Sequence, residues 1–139
     1  MKKLTIFLLL LTLTTGLMLA EDYSREKFWE KISTVKTNEE ADPLFTDYIQ
    51  NTPEYEFAWD LFNMWKSRRQ EQADALLETL KTDEKYKDKA WYFEGMQKNR
   101  LVDRITFARN RISKDEDAFV AYALMFDTYT KHLFQKRLE

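Results

Sequence analysis

Beyond its first twenty residues the chain holds one glycine, Gly95, and two prolines, Pro43 and Pro53. Tight turns draw on these two residue types, so a fold built from many hairpin-linked strands is excluded. The same stretch is filled with apolar residues at helical spacing, and the fold it predicts is all-α. Every aromatic residue except Phe7 lies there, and aromatics supply large buried area per residue. No linker or low-complexity run divides residues 21–139, so one helical domain is expected.

Residues 1–20 read as a secretory signal peptide: Lys2 and Lys3 precede an uncharged apolar run from Leu4 to Leu19, which closes on the small Ala20. The run is shorter than the roughly 20 apolar residues of a spanning helix, and acidic Glu21 and Asp22 follow it. Cleavage is expected after Ala20, with Gly16 as a second position. Met18 and Leu19 are bulkier than a peptidase favours, so a retained N-terminal anchor is the alternative. Export to a periplasm or to the outside, in a bacterial cell envelope, is the localisation this implies.

Cysteine is absent, which removes lipid attachment, disulfides, zinc thiolate sites and thiol catalysis together. Losing Lys2 and Lys3 takes the net charge from −2 to about −4, unlike the basic field of a nucleic-acid binder. No membrane association is expected once the leader is cut.

Helix starts are marked by caps. Ser24 opens a first helix with Phe28, Trp29, Ile32 and Val35 on one face. Thr37 and Glu40 have capping-box spacing, followed by Ala41, Leu44, Phe45, Tyr48 and Ile49 at core positions. Asp42 and Pro43 offer a second start for the same helix. Thr52 and Pro53 predict the next start, for a helix with Phe57, Leu61 and Met64 on one side and Tyr55, Trp59, Phe62 and Trp65 on another. So wide an apolar circumference predicts packing on two sides.

Ser67 with Gln70 predicts a third box, before a narrower stripe of Ala73, Leu76, Leu77 and Leu80. Tyr86, Ala90, Phe93 and Gln97 continue the helical spacing. Asn99 precedes a helix with Leu101, Ile105, Ala108 and Ile112, and Ser113 with Glu116 predicts the start of a long last helix. Phe119, Tyr122, Phe126, Tyr129 and Leu133 are its expected core face.

A loose repeat runs through these helices. Ala58-Trp59, Ala90-Trp91 and Ala118-Phe119 each fall early in the first helix of a pair, with Phe28-Trp29 similar, and the aromatics are 30, 32 and 28 residues apart. Stacked helical hairpins leave such a period because each must bury the same face against its neighbour. Ala90-Trp91-Tyr92-Phe93-Glu94-Gly95 resembles the opening of a tetratricopeptide repeat, and Asn51-Thr52-Pro53 before Ala58-Trp59 resembles that family's junction between repeats. The resemblance spans roughly residues 24 to 130 and is degenerate. The spacings fall short of the family's period, and Asn63 and Ala123 stand where its small residue belongs.

The resemblance implies stacked antiparallel hairpins, a short α-solenoid, with an irregular helical bundle as the alternative. It also implies a concave wall built from first helices. On this chain the wall positions are Asp60 and Met64, Tyr92 and Met96, Val120 and Leu124. Met64, Met96 and Leu124 would form an apolar ladder for a peptide or an amphipathic helix, unless these residues are simply core.

A second candidate surface is an arginine stripe, in which Arg100, Arg104 and Arg111 share a narrow arc beside Phe107. Three guanidinium forks on one line suit carboxylates or phosphates, although a solvated face is the commoner use of such residues.

Nothing in the pattern names a reaction. His132 is the only histidine, so neither a transition-metal site nor two-histidine chemistry is expected. Ser24, Ser33, Ser67 and Ser113 read as helix starts or surface positions, and no phosphate or calcium loop is spelled out. An enzyme reading would turn on Glu94 as a general acid. No cofactor is expected.

The function these residues predict is a non-enzymatic, exported module that binds a protein or peptide. A membrane-tethered structural protein that self-associates is the alternative from another class, and a small carboxylate-dependent hydrolase stands behind both. A short array leaves apolar ends, so homo-oligomers are possible.

Overall fold

The structure, a computed structural model, describes residues 21–115 and 118–138. The signal-peptide reading of residues 1–20 and the capping role of Glu116 lie outside the described residues. Among the described residues seven α-helices follow one another: α1 (Arg25–Ile32), α2 (Asn38–Asn51), α3 (Tyr55–Lys66), α4 (Gln70–Thr82), α5 (Lys87–Met96), α6 (Leu101–Ile112) and α7 (Phe119–Leu138), with a 3-10 turn, Glu84–Tyr86, ahead of α5. Among the described residues there is no strand.

Each helix packs on the next in sequence, alternate helices also meet (α3 with α5, α5 with α7, α2 with α4), and α3 further touches α7. The result is an all-α fold of packed neighbouring helices, compatible with stacked hairpins and with an irregular bundle. α3 touches α2, α4, α5 and α7, which explains why its apolar surface needed so much of its circumference.

Two predicted starts hold. Ser24 caps α1, its hydroxyl accepting from the Lys27 N–H at 3.4 Å. Thr37 caps α2 by accepting from the Glu40 N–H at 3.2 Å, while the Glu40 carboxylate accepts from the Lys36 N–H. Pro43 therefore lies inside α2 and does not open it.

Two of the other starts, at Ser67 and Ser113, are displaced for one physical reason. A hydroxyl can accept from the N–H ahead of it or donate to a carbonyl behind it, and sequence spacing does not separate the two. Ser67 and Ser113 do the second, ending α3 and α6 by donating to the carbonyls of Met64 and Asn110, as Ser33 ends α1 by donating to Glu30. Thr52 likewise ends α2, and its hydroxyl accepts from the Glu54 N–H at 3.4 Å, so α3 begins at Tyr55. Arg100, not Asn99, precedes α6, and α7 begins at Phe119 rather than near Lys114.

Aromatic rings knit the core across helices. Phe28 meets Phe45, Tyr48 and Phe57 edge to face at 5.2 to 5.8 Å. Phe93 meets Trp59 and Phe62, each at 5.2 Å, and Tyr55 stacks on Tyr92 at 5.4 Å. Such pairs add about 0.5–1.5 kcal/mol each beyond the area they bury. Gly95 permits the closest approach, since a Cβ there would sit 2.3 Å from Leu124 Cδ2 and 3.2 Å from Phe107 Cδ1.

The expected core face of α7 is corrected. Phe119, Tyr122, Phe126, Tyr129 and Leu133 are all exposed, and the buried face is Val120, Ala121, Leu124 and Thr128. Both faces fit helical spacing, and the side on which α3, α5 and α6 lie decides between them.

Candidate functional site

The turn after α1 and the turn after α3 lie at the same end of the first two hairpins, and a groove of about 470 Å³ opens between them. Its apolar lining comes from Ile32, Val35, Phe45, Met64 and Trp65, with Trp29 at the edge, half exposed. A hub stiffens one wall. Asp42 on α2 accepts from Trp65 Nε1 at 2.7 Å and from Arg69 Nη2 and Nε at 2.7 and 3.0 Å. Burial pushes the Asp42 carboxyl up, but the bonds from Arg69 and Trp65 and the charge of Arg69 outweigh it and hold the group below its ordinary value.

Two more cations line the groove. Lys36 and Arg68 are exposed there, and neither side chain makes an ion pair or hydrogen bond within the described chain. An apolar floor with two uncommitted cations beside it suits a segment that carries both bulky apolar and acidic side chains. Sequence reading placed Met64 on a binding wall, and Met64 does line this groove. It missed Lys36, Arg68 and Arg69, whose signal was basic residues at two turns that only the fold brings together.

The rest of the expected wall is elsewhere. Tyr92, Met96, Val120 and Leu124 are buried, a correction to the concave ladder. In an open array first helices face solvent, whereas here α7 lies against α3 and α5 and seals the space, with Leu124 against Gly95. Tyr92 donates to Asp127 at 2.6 Å beneath this seal. Burial drives the Asp127 carboxyl above its ordinary value, against the bond from Tyr92, and burial likewise raises the Tyr92 phenol.

Asp60 does not border the groove either. It sits 3.4 Å from Lys131 and 4.0 Å from Arg25, beside Glu56, in a balanced charge cluster on α1, α3 and α7.

The arginine stripe is divided. Arg111 pairs with Asp88 at 2.6 Å and lies over the Trp91 ring, and Arg104 Nε donates to the Lys98 carbonyl at 2.6 Å. Arg100 alone stays open to solvent, 4.0 Å from Asp103. Three forks aligned for one partner are therefore not what the fold presents.

Lys89 was invisible to sequence reading because lysine in a polar stretch reads as surface. It is buried on α5, where Nζ donates to the carbonyls of Gln50 and Thr52 at 2.7 and 2.9 Å, at the end of α2. A cation there satisfies orphan carbonyls and the negative end of the helix dipole. Burial, helped by the nearby charge of Lys85, lowers its pKa to about 8.

Glu94 is exposed, which removes the apolar setting a general acid would need. Among the described residues no three His, Cys, Asp or Glu side chains are grouped to hold a metal ion.

Comparison with known proteins returns no match: no family model, no curated protein and no solved structure is significantly similar to this chain.

Proposed function

We propose that this chain is an exported, non-enzymatic helical-hairpin module, tetratricopeptide-like in its stacking, that binds an acidic and apolar segment of another protein. The observation that carries the reading is the groove between the first two hairpins, where Met64, Trp65 and Trp29 lie beside the unpaired Lys36 and Arg68. Apolar side chains of the partner would fill the groove, and its carboxylates would meet the two cations, which set orientation and encounter rate. Export rests on the order of charge and apolarity in residues 1–20. No described helix is long and apolar enough to cross a membrane.

A peptide-display selection tests the groove. Peptides enriched on the parent chain should combine aromatic or large aliphatic residues with Asp or Glu. Their affinity should fall at least about tenfold on a Lys36→Glu, Arg68→Glu double variant, a loss of about 1.4 kcal/mol. Peptides that bind the parent and this folded variant equally would remove the groove from the reading. Mass spectrometry of the N-terminus of chain expressed from its full coding sequence tests export separately, with Glu21 expected at the start.

A further inference from the structure

α7 has two apolar faces and uses one. Val120, Ala121, Leu124 and Thr128 are buried within the molecule. On the opposite side Phe119 is 73 %, Tyr122 49 %, Phe126 69 %, Tyr129 42 % and Leu133 62 % exposed. Their spacing alternates three and four residues, the register in which two helices interlock side chains along a shared seam. At 100° per residue they fall within an arc of about 80°.

The size of this face separates it from the scattered apolar residues of an ordinary surface. With Phe134 beside it, 65 % exposed, the face amounts to roughly 600 Å² on the usual areas of such side chains. That is at or beyond the largest patch a typical monomer shows. Two copies meeting here would bury on the order of 1,200 Å², the lower bound of a specific interface.

Charge indicates what covers it. The positions flanking the seam are Ala123, Met125, Thr130 and His132, so two identical faces meet without opposed carboxylates or paired cations. The ends differ in charge. Lys136 and Arg137 occupy the last turn of α7, and its first turn, Phe119 to Tyr122, carries no cation. Antiparallel pairing keeps the two basic ends apart and aligns the helix dipoles favourably. Parallel pairing would stack like on like.

We propose that a second copy of this chain covers the face: α7 packs antiparallel on α7 of its twin across a two-fold axis near Phe126, with Phe119 of each copy near Leu133 of the other. The interface is isologous and closes at the dimer. It shares no residue with the groove, so either reading can fail alone.

Sedimentation velocity on the protein expressed from its full coding sequence tests this. The parent should run at twice the chain mass at ~100 µM, where a micromolar dimer is formed. A Phe126→Glu, Leu133→Glu variant should run as a monomer with unchanged helicity, because both side chains point away from the core. Val102→Glu, exposed on α6 and not one of the seam residues of α7, should leave the dimer intact.

Since the chain has no cysteine, single introduced thiols report direction. Phe126→Cys should cross-link to itself on mild oxidation, and Phe119→Cys should cross-link to Leu133→Cys but not to itself. A monomeric parent at ~100 µM, where a micromolar dimer would be formed, overturns the proposal, as does a dimer that survives the double glutamate change. Should that variant lose helicity, the cysteine pairs decide, and self-linked Phe119→Cys without Phe119–Leu133 linkage overturns the antiparallel seam.

Discussion

α3 and α7 carry the same kind of sequence and meet opposite fates. Each is apolar around much of its circumference and rich in aromatics. α3 lies between α2 and α4 and also touches α5 and α7, so Phe57, Leu61, Phe62 and Trp65 are all buried. α7 packs on α3, α5 and α6 through one face, and its second apolar face is left in solvent. The pair teaches that an apolar face states a need for a partner, while the packing of the other helices determines whether that partner lies within the same molecule.

The sharpest break in the comparison comes from matched truncations. Phe93→Ala, at the centre of the rings around α3, should cost about 3–5 kcal/mol through lost transfer energy and an unfilled cavity. Phe126→Ala on the outer face of α7 should cost under about 1 kcal/mol when measured on the monomer. Urea denaturation at low protein concentration reads both, and equal losses would mean α7 is buried on both sides within one chain.

Lys89→Ala should follow at about 2 kcal/mol, since it orphans two helix-end carbonyls and removes a buried stem. The parent carries a pH signature the variant lacks. The folded pKa of about 8 lies below the ordinary 10.5, so between those values the unfolded chain holds more protons and stability rises with pH. Below about pH 8 both states keep the proton and this contribution is flat. Denaturation midpoints measured from pH 7 to 10 should climb for the parent relative to Lys89→Ala, and parallel curves would place Lys89 in solvent.

Gly95→Ala probes the seal of α7 on α5. Alanine gains about 1 kcal/mol of helix propensity, but a Cβ 2.3 Å from Leu124 Cδ2 forces a buried side chain to move, at about 1–3 kcal/mol. A net loss near 1 kcal/mol is expected, on these two magnitudes. Adding Leu124→Ala should relieve the clash, so the two changes should not sum in a double-mutant cycle.

The smallest stability effect belongs to the groove. Lys36→Glu and Arg68→Glu sit on exposed, unpaired side chains and should each shift stability by no more than about 0.5 kcal/mol, while still weakening peptide binding. A large loss of stability would make these residues structural.

Much of the fold was legible. The Gly and Pro shortage and the 3.6-residue spacing place helices over nearly all of residues 25–138, and Ser24 and Thr37 mark two of their starts correctly. Boundaries at Ser67 and Ser113 were not legible, because a serine that donates backwards to end a helix looks the same in sequence as one that accepts forwards to begin one. The candidate site was legible at Met64 only. Lys36 and Arg68 are thirty-two residues apart, and only the packing of α1 and α2 on α3 and α4 sets them beside one groove.

By itself the sequence determined that this chain is helical and how much apolar surface it must cover, because periodicity and composition are properties of single segments. The tertiary structure decided which surface is covered. It put Tyr92, Met96, Val120 and Leu124 inside, left Phe119, Phe126 and Leu133 outside, and buried the charge of Lys89 on the carbonyls of a helix 37 residues earlier. The reason is geometric: on a helix with two apolar faces, burial belongs to whichever face the other helices reach, and that depends on the whole chain.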